Sequence, residues 1–275
     1  MLRIGRIEYA NCTPIFHALH ELYDAHGDYQ YIGGVPSRLN HMLASAEIDV
    51  CPSSSIEFAF HPDKHLVVPG LSISSCGPVK SVLLFSTIPI EELGEKIILL
   101  SSESATSVNL LKILIKKRYN LDCSFRVTSK GLSTALQEAP ALLLIGDPAL
   151  QAAQSAHDVH VYDLGELWYQ WTGTPFVFAL WLVSRKAYAE KGEVLKEFVR
   201  RVWHAREYAL QHLEEIAEAS QDAVWMGYDD LLQYWRTNIS YELQTSHIEG
   251  VNRFFSCAAE LKLIPTAPKL KFMDM

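Results

Sequence analysis

The chemistry-bearing residues of this 275-residue sequence lie in five short clusters of small polar side chains. They are Asn11 in EYANCTP, Ser53–Ser55 in CPSSSIEF, Ser74–Ser81 in SSCGPVKS, Ser104–Ser107 in ESATSV, and Gly146–Asp147 in LIGDPAL. Each stands where an apolar run gives way to a helical or turn pattern. The first turn of a helix leaves N–H groups unpaired at the positive end of its dipole, which suits a carboxylate. Hydroxyls beside those groups add donors. Any one cluster reads as well as a helix cap. Five at equivalent ends of strands point to a shared cleft for a small anion, with Ser54, Ser55, Ser75 and Gly77 among its expected binding residues.

Other chemistries lack their signatures. GxSxG, Walker A, HExxH and GxGxxG motifs are all missing. His17/His20, His61/His65 and His157/His160 are spaced as pairs, but nothing nearby completes a three- or four-ligand set, so no metal is expected. Glu103 and Asp147 are carboxylates that could serve as bases in a cleft. Asp147-Pro148 reads equally as a helix start, and Glu57 as the closing residue of a capping box. Trp168 and Trp171, in GELWYQWTG, read as core between lobes.

The elements that must position these clusters alternate in type. LRIGRIEY reads as a strand, residues 14–26 as a helix, YQYIGG as a strand, residues 36–46 as a helix with Pro36 in its first turn, DVCP as a strand and SSSIEFAF as a short helix. LVVPGLSI and VKSVLLFS follow as strands. A second unit repeats the rhythm: KIILLS, SVNLLKILIKKRY, CSFRVT, LSTALQEA, ALLLIGD, PALQAAQSA and HVYDL alternate strand and helix. Mostly parallel sheets flanked by helices are the expected result. FVFALWLVS is one buried strand, and residues 186–263 are helical, with WHAREYALQHLEEIAEA the clearest amphipathic helix. The predicted first lobe is discontinuous, residues 1–86 plus 174–275, around a second lobe at 87–173. Crossings near Phe85–Ile88 and Thr172–Val177 would form a hinge, with the ligand between the lobes.

Composition narrows the setting. The sequence is 49% hydrophobic and 20% charged, with a formal net charge of −8, which argues against nucleic acid as a partner. No apolar run approaches a membrane span, and the N-terminus lacks the pattern of a secretory leader. Five scattered cysteines without a CxxC pair are expected as free, buried thiols in a cytoplasmic protein.

RIGRIEYANCTPIFHAL, PSRLNHMLASAEIDVCPSSSIEF, PGLSISSCGPVKSVLLFS, SESATSVNLLKILI, LLIGDPAL and DLGELWYQWTGTPFVFALW together resemble the chorismate dehydratase family of the futalosine route to menaquinone. The resemblance runs in order over residues 2–184 and more loosely through the helical tail. It implies an α/β fold of the type 2 periplasmic-binding-protein class, with two lobes, a hinge and a helical C-terminal segment. It implies loss of water from chorismate, a small dicarboxylate, to give 3-[(1-carboxyvinyl)oxy]benzoate without a cofactor. By the same resemblance Asn11 and Ser81 are the expected catalytic residues, and Thr106, Ser107, Gly146 and Asp147 bind substrate. Ala10 and Thr13 depart from the family pattern without removing a polar group.

Three other readings stand beside this one. A non-catalytic protein binding a small carboxylate would share the fold but would be expected to carry a leader. The sister 1,4-dihydroxy-6-naphthoate synthase opens on a different motif that YANCTP does not match. A transcriptional effector domain would bring a helix-turn-helix segment. Oligomeric state has no signature in the sequence.

Overall fold

The computed structural model describes residues 1–23, 29–101, 104–155 and 158–275. The expected helix residues 24–26, Glu103 and His157 lie outside the described residues. Four strands of the first lobe come early: β1 (Leu2–Ile7), β2 (Tyr29–Gly34), β3 (Val50–Ser54) and β4 (His65–Ser75). Between them run α1 (Thr13–Tyr23), α2 (Pro36–Ala44) and α3 (Ser55–Phe60). Pro36 opens α2, where its missing N–H leaves no bond unmade. The second lobe holds β5 (Val82–Ser86), β6 (Ile97–Leu100), β7 (Ser124–Val127), β8 (Ala141–Ile145) and β9 (His160–Asp163). Its helices are α4 (Ala105–Ile113), α5 (Leu132–Ala135), α6 (Gly146–Ser155) and α7 (Leu164–Thr172). The chain then returns through β10 (Phe176–Ser184) into the first lobe.

The sheets are ordered β2-β1-β3-β10-β4 and β7-β6-β8-β5-β9. Four strands of each sheet point the same way, as expected, and one runs against them. β10 runs antiparallel to both β3 and β4, and β5 antiparallel to both β8 and β9. The cause is the double crossing. Each of these strands enters its sheet from the other lobe, at the end where the resident strands finish, and so runs the opposite way. β10 has sheet neighbours on both sides and buries every residue except the half-buried Phe178, which accounts for its unbroken apolar run.

The first crossing also differs from the expected one. β5 pairs in the second sheet, so the link between lobes is residues 76–81 and not the region of Phe85–Ile88. The return link lies at 173–175, within the expected stretch.

The tail comprises α8 (Arg185–Gln211), α9 (Leu213–Ala219), α10 (Asp222–Met226), α11 (Tyr228–Gln233) and α12 (Thr245–Glu260). The expected single helix over residues 203–219 breaks at His212, whose φ of −122° is not helical. The His212 ring stacks on Tyr208, and its Nδ1 lies 2.8 Å from the Tyr208 carbonyl oxygen. Trp168 is fully buried among Phe176, Phe254 and Trp171, and donates to the Thr174 hydroxyl. All five cysteines are free, but two are not buried as expected: Cys76 is exposed because it sits in the link between lobes, and Cys123 is half-buried.

Candidate functional site

A cleft with about 510 Å³ of empty space lies between the lobes. Tyr9, Asn11 and Ser54 reach it from the first lobe, and Ser104, Ser107 and Gly146 from the second. Val79 and Ser81 reach it from the link. Among the described residues four helix starts converge here: Pro36 at the head of α2, Ser54 at the N-cap position of α3, Ser104 capping α4, and Gly146 opening α6. Ile7, Ile73, Val82, Ile145 and Phe178 supply apolar wall, and among the described residues no charged side chain lines the cleft. A pocket of this kind holds an anion with N–H groups and hydroxyls, and keeps them strong by excluding water.

Asn11 is set on a braced backbone. The N–H of Ala10 donates to Asp147 Oδ1 at 3.0 Å, and the Ala10 carbonyl accepts from Trp235 Nε1 at 2.8 Å. The Asn11 carbonyl accepts from the Tyr241 hydroxyl at 2.9 Å. Burial pushes the Tyr241 phenol well above its ordinary range, so this donor keeps its proton. The side-chain oxygen of Asn11 is buried with no hydrogen-bond partner. An unpaired amide oxygen is costly, and a ligand hydroxyl supplies the missing donor.

Ser81 is almost completely buried, with its hydroxyl 3.4 Å from the Val79 carbonyl oxygen. Its own carbonyl accepts from the Gly146 N–H at 2.7 Å. Burial also raises the Tyr234 phenol, and Ser81 works against that rise although the two hydroxyls lack hydrogen-bond geometry. Gly146 has φ of +62°, and a Cβ there would come within 2.7 Å of the Tyr9 ring.

The ten residues singled out from sequence divide into two groups. Asn11, Ser81, Ser54, Ser107 and Gly146 line the cleft. Ser55, Ser75, Gly77, Thr106 and Asp147 are not among its lining residues and have protein partners instead. Thr106 Oγ1 accepts from the Ile56 N–H at 3.2 Å and lies 3.4 Å from the Ser55 hydroxyl. Asp147 takes the Ala10 N–H rather than facing the cleft as a base. These contacts run from one lobe to the other and hold the cleft closed. Ser75 donates to the carbonyl of Gly77 inside the link. Ser54 makes no side-chain cap on α3, so no capping box forms with Glu57. Sequence reasoning missed Tyr9, Tyr234, Trp235 and Tyr241. The last three come from the tail, more than 220 residues from Asn11, and no local pattern signals that approach.

Glu57 lies close to His61, with Oε1 and Nε2 3.5 Å apart. Burial pushes the Glu57 carboxyl up to about 7 and lowers the His61 imidazole, so at neutral pH this is not a full ion pair. The raised carboxyl binds its proton more tightly in the folded state than in the unfolded one, where 4.5 is the ordinary value. Its contribution to stability is complete below pH 4.5 and is lost as pH rises through about 7. Glu57→Gln is expected to remove that dependence. Melting of both proteins at pH 5 and pH 8 should show the variant gaining about 1–2 kcal/mol relative to the native protein at the higher pH. A gap that does not change with pH would contradict the assignment.

A two-lobed α/β architecture crossed twice by the chain, with a cleft at the crossings, is the fold of the periplasmic binding proteins. Solved structures agree in fold. The periplasmic aliphatic sulphonate binding protein of Escherichia coli superposes with a TM-score of 0.71 at 15% identity, covering 99% of this chain and 92% of its own. A structural-genomics protein from Archaeoglobus fulgidus gives 0.76 at 18% identity, covering 96% and 98%. Sequence relatives are more specific. The chorismate dehydratase of Thermus thermophilus is 32% identical over 96% of both chains, and that of Campylobacter jejuni 27% identical over 94% of this chain and 98% of its own. The menaquinone biosynthesis family matches residues 2–260, and the chain belongs to that family.

Proposed function

We propose that this protein dehydrates chorismate to 3-[(1-carboxyvinyl)oxy]benzoate in the cleft between its lobes, as a step of menaquinone synthesis. The observation that carries the reading is the near full-length similarity to the Thermus thermophilus enzyme. The uncharged cleft supports it. Chorismate brings two carboxylates, and the converging helix starts offer N–H groups and hydroxyls for both.

The reaction removes the proton from the ring carbon bearing the enolpyruvyl ether, while the hydroxyl on the adjacent carbon departs. The conjugated ring carboxylate acidifies that proton, and aromatisation drives the step without a cofactor. Among the described residues the lining holds no carboxylate or imidazole to act as base. The substrate's own enolpyruvyl carboxylate takes the proton, folded against the ring by the closed lobes. The protein contributes orientation and exclusion of water. Asn11 accepts from or donates to the departing hydroxyl, and Ser81 holds a substrate polar group. Asp147 and Thr106 serve closure, through their bonds to Ala10 and Ile56.

Incubation of the purified protein with chorismate tests the reading. The benzoate product should accumulate with one water lost per turnover, and without an added cofactor. Chorismate that binds but stays unchanged would leave a carboxylate-binding protein. Ser81→Ala should cost about 1–3 kcal/mol in kcat/KM, the size expected when a buried substrate group loses its partner. Kinetics equal to the native protein would remove Ser81 from the site.

A further inference from the structure

Asp163 stands at the end of β9 and at the head of α7 and is not among the residues that line the cleft. Its carboxylate accepts four backbone N–H groups. Oδ1 takes those of Gly165 at 2.9 Å and Glu166 at 3.1 Å, which caps α7. The same oxygen takes Val79 at 3.1 Å, and Oδ2 takes Lys80 at 2.6 Å. A cap alone would use only the first two. The other two bonds tie the helix head to the link between the lobes, 83 and 84 residues away in sequence.

The link needs such a tie. Ser81 N–H closes a tight turn on the Val79 carbonyl at 2.7 Å, with Lys80 at φ of +58°, a region that disfavours residues with a Cβ. Val79 and Ser81, on either side of Lys80, both face the cleft. Asn238 braces the turn from the tail, donating to the Pro78 carbonyl at 2.9 Å. Gly165 lets the link approach closely: a Cβ there would fall 2.7 Å from the Ser75 hydroxyl and 2.8 Å from the Gly77 carbonyl oxygen.

We infer that Asp163 is a positioning residue for the reaction, holding the 79–81 turn so that the Ser81 hydroxyl stays set in the cleft. This rests on the proposed function, since Ser81 is its route to substrate. Oδ2 serves the link alone, through Lys80, whereas Oδ1 serves the cap and Val79 together. In Asp163→Asn the amide oxygen can keep the Oδ1 position and the α7 cap, while the amide nitrogen replaces Oδ2 and faces the Lys80 N–H, donor against donor. Asparagine is a good N-cap, so the helix should survive.

The test is a double-mutant cycle on kcat/KM for chorismate with Asp163→Asn, Ser81→Ala and the pair, joined to hydrogen exchange at residues 79–81 and 165–166. Asp163→Asn is expected to lower kcat/KM about 10–10²-fold, the scale of a misplacement of about 1 Å. The pair should fall within about threefold of Ser81→Ala alone, because the tie acts through Ser81. Exchange should quicken at Lys80, which loses its acceptor, and stay slow at Gly165 and Glu166, whose acceptor is kept. Independent, multiplicative losses, or native kinetics in Asp163→Asn, would overturn the proposal. If Asp163→Asn does not fold, Asp163→Ser takes its place, keeping a cap oxygen without the reach to Lys80. Native turnover in the same assay separates the two readings: where the unmutated protein is active, failure of the cycle falls on Asp163 alone. Where it is inactive, the dehydratase reading fails, and exchange at 79–81 decides whether Asp163 holds the turn.

Discussion

Asn11→Ala is expected to lower chorismate turnover about 10²–10³-fold, the loss seen when one preorganised hydrogen-bonding group is removed. The expectation follows from how the residue is held. Asp147 and Trp235 bond to the backbone of Ala10 and Tyr241 to the carbonyl of Asn11 itself, so the amide is presented by a frame that does not depend on its own side chain. Its Oδ1 is buried and unpaired, so removing it leaves no protein donor orphaned, and the melting temperature should hold. Asn11→Asp is the sharper probe. It keeps the shape and places a negative charge against a dianionic substrate in a cleft with no charged lining among the described residues. Repulsion in such surroundings is poorly screened, so affinity and turnover should fall together. Near-native rates in both folded variants would make Asn11 structural.

Gly146→Ala should cost about 10²-fold in kcat/KM. Two effects add. The backbone sits at φ of +62°, where a Cβ costs roughly 1–2 kcal/mol. The new methyl would also lie 2.7–2.8 Å from three ring atoms of Tyr9, on the facing lobe. Either the ring moves into the cleft or the lobes part, and the Ala10–Asp147 bond beside it weakens. Substrate is then held loosely by groups that remain present. Kinetics together with product affinity check this: both should fall. A variant that binds and turns over as the native protein does would show that the Tyr9–Gly146 approach is not needed for closure.

The pattern of elements was legible because each follows from local chemistry. Pro36 marks the head of α2, and the uniformly apolar FVFALWLVS marks a strand with neighbours on both sides. Strand direction is another matter. Nothing within VLLFS or FVFALWLVS encodes which sheet it joins, so the sequence placed β5 in the wrong lobe and missed that both crossing strands run antiparallel. The polar clusters were legible as a group but not residue by residue. Ser107 and Thr106 are neighbours of similar chemistry at one helix start, yet Ser107 lines the cleft while Thr106 accepts from Ile56 on the other lobe. The same donors and acceptors suit a ligand, a cap or a latch, and only three-dimensional placement divides them. The brace from Trp235 and Tyr241 depends wholly on how the tail packs back over the first lobe.

A crystal structure with 3-[(1-carboxyvinyl)oxy]benzoate bound tests the central claim most directly. The account predicts density for the product between the lobes, with the Asn11 amide and the Ser81 hydroxyl within hydrogen-bond distance of it. The two carboxylates should meet the helix starts at Ser104–Ser107 and Gly146. Product seated elsewhere, such as the pocket beside Arg6, His17 and Asp222, or lying in the cleft without touching Asn11 and Ser81, would contradict it.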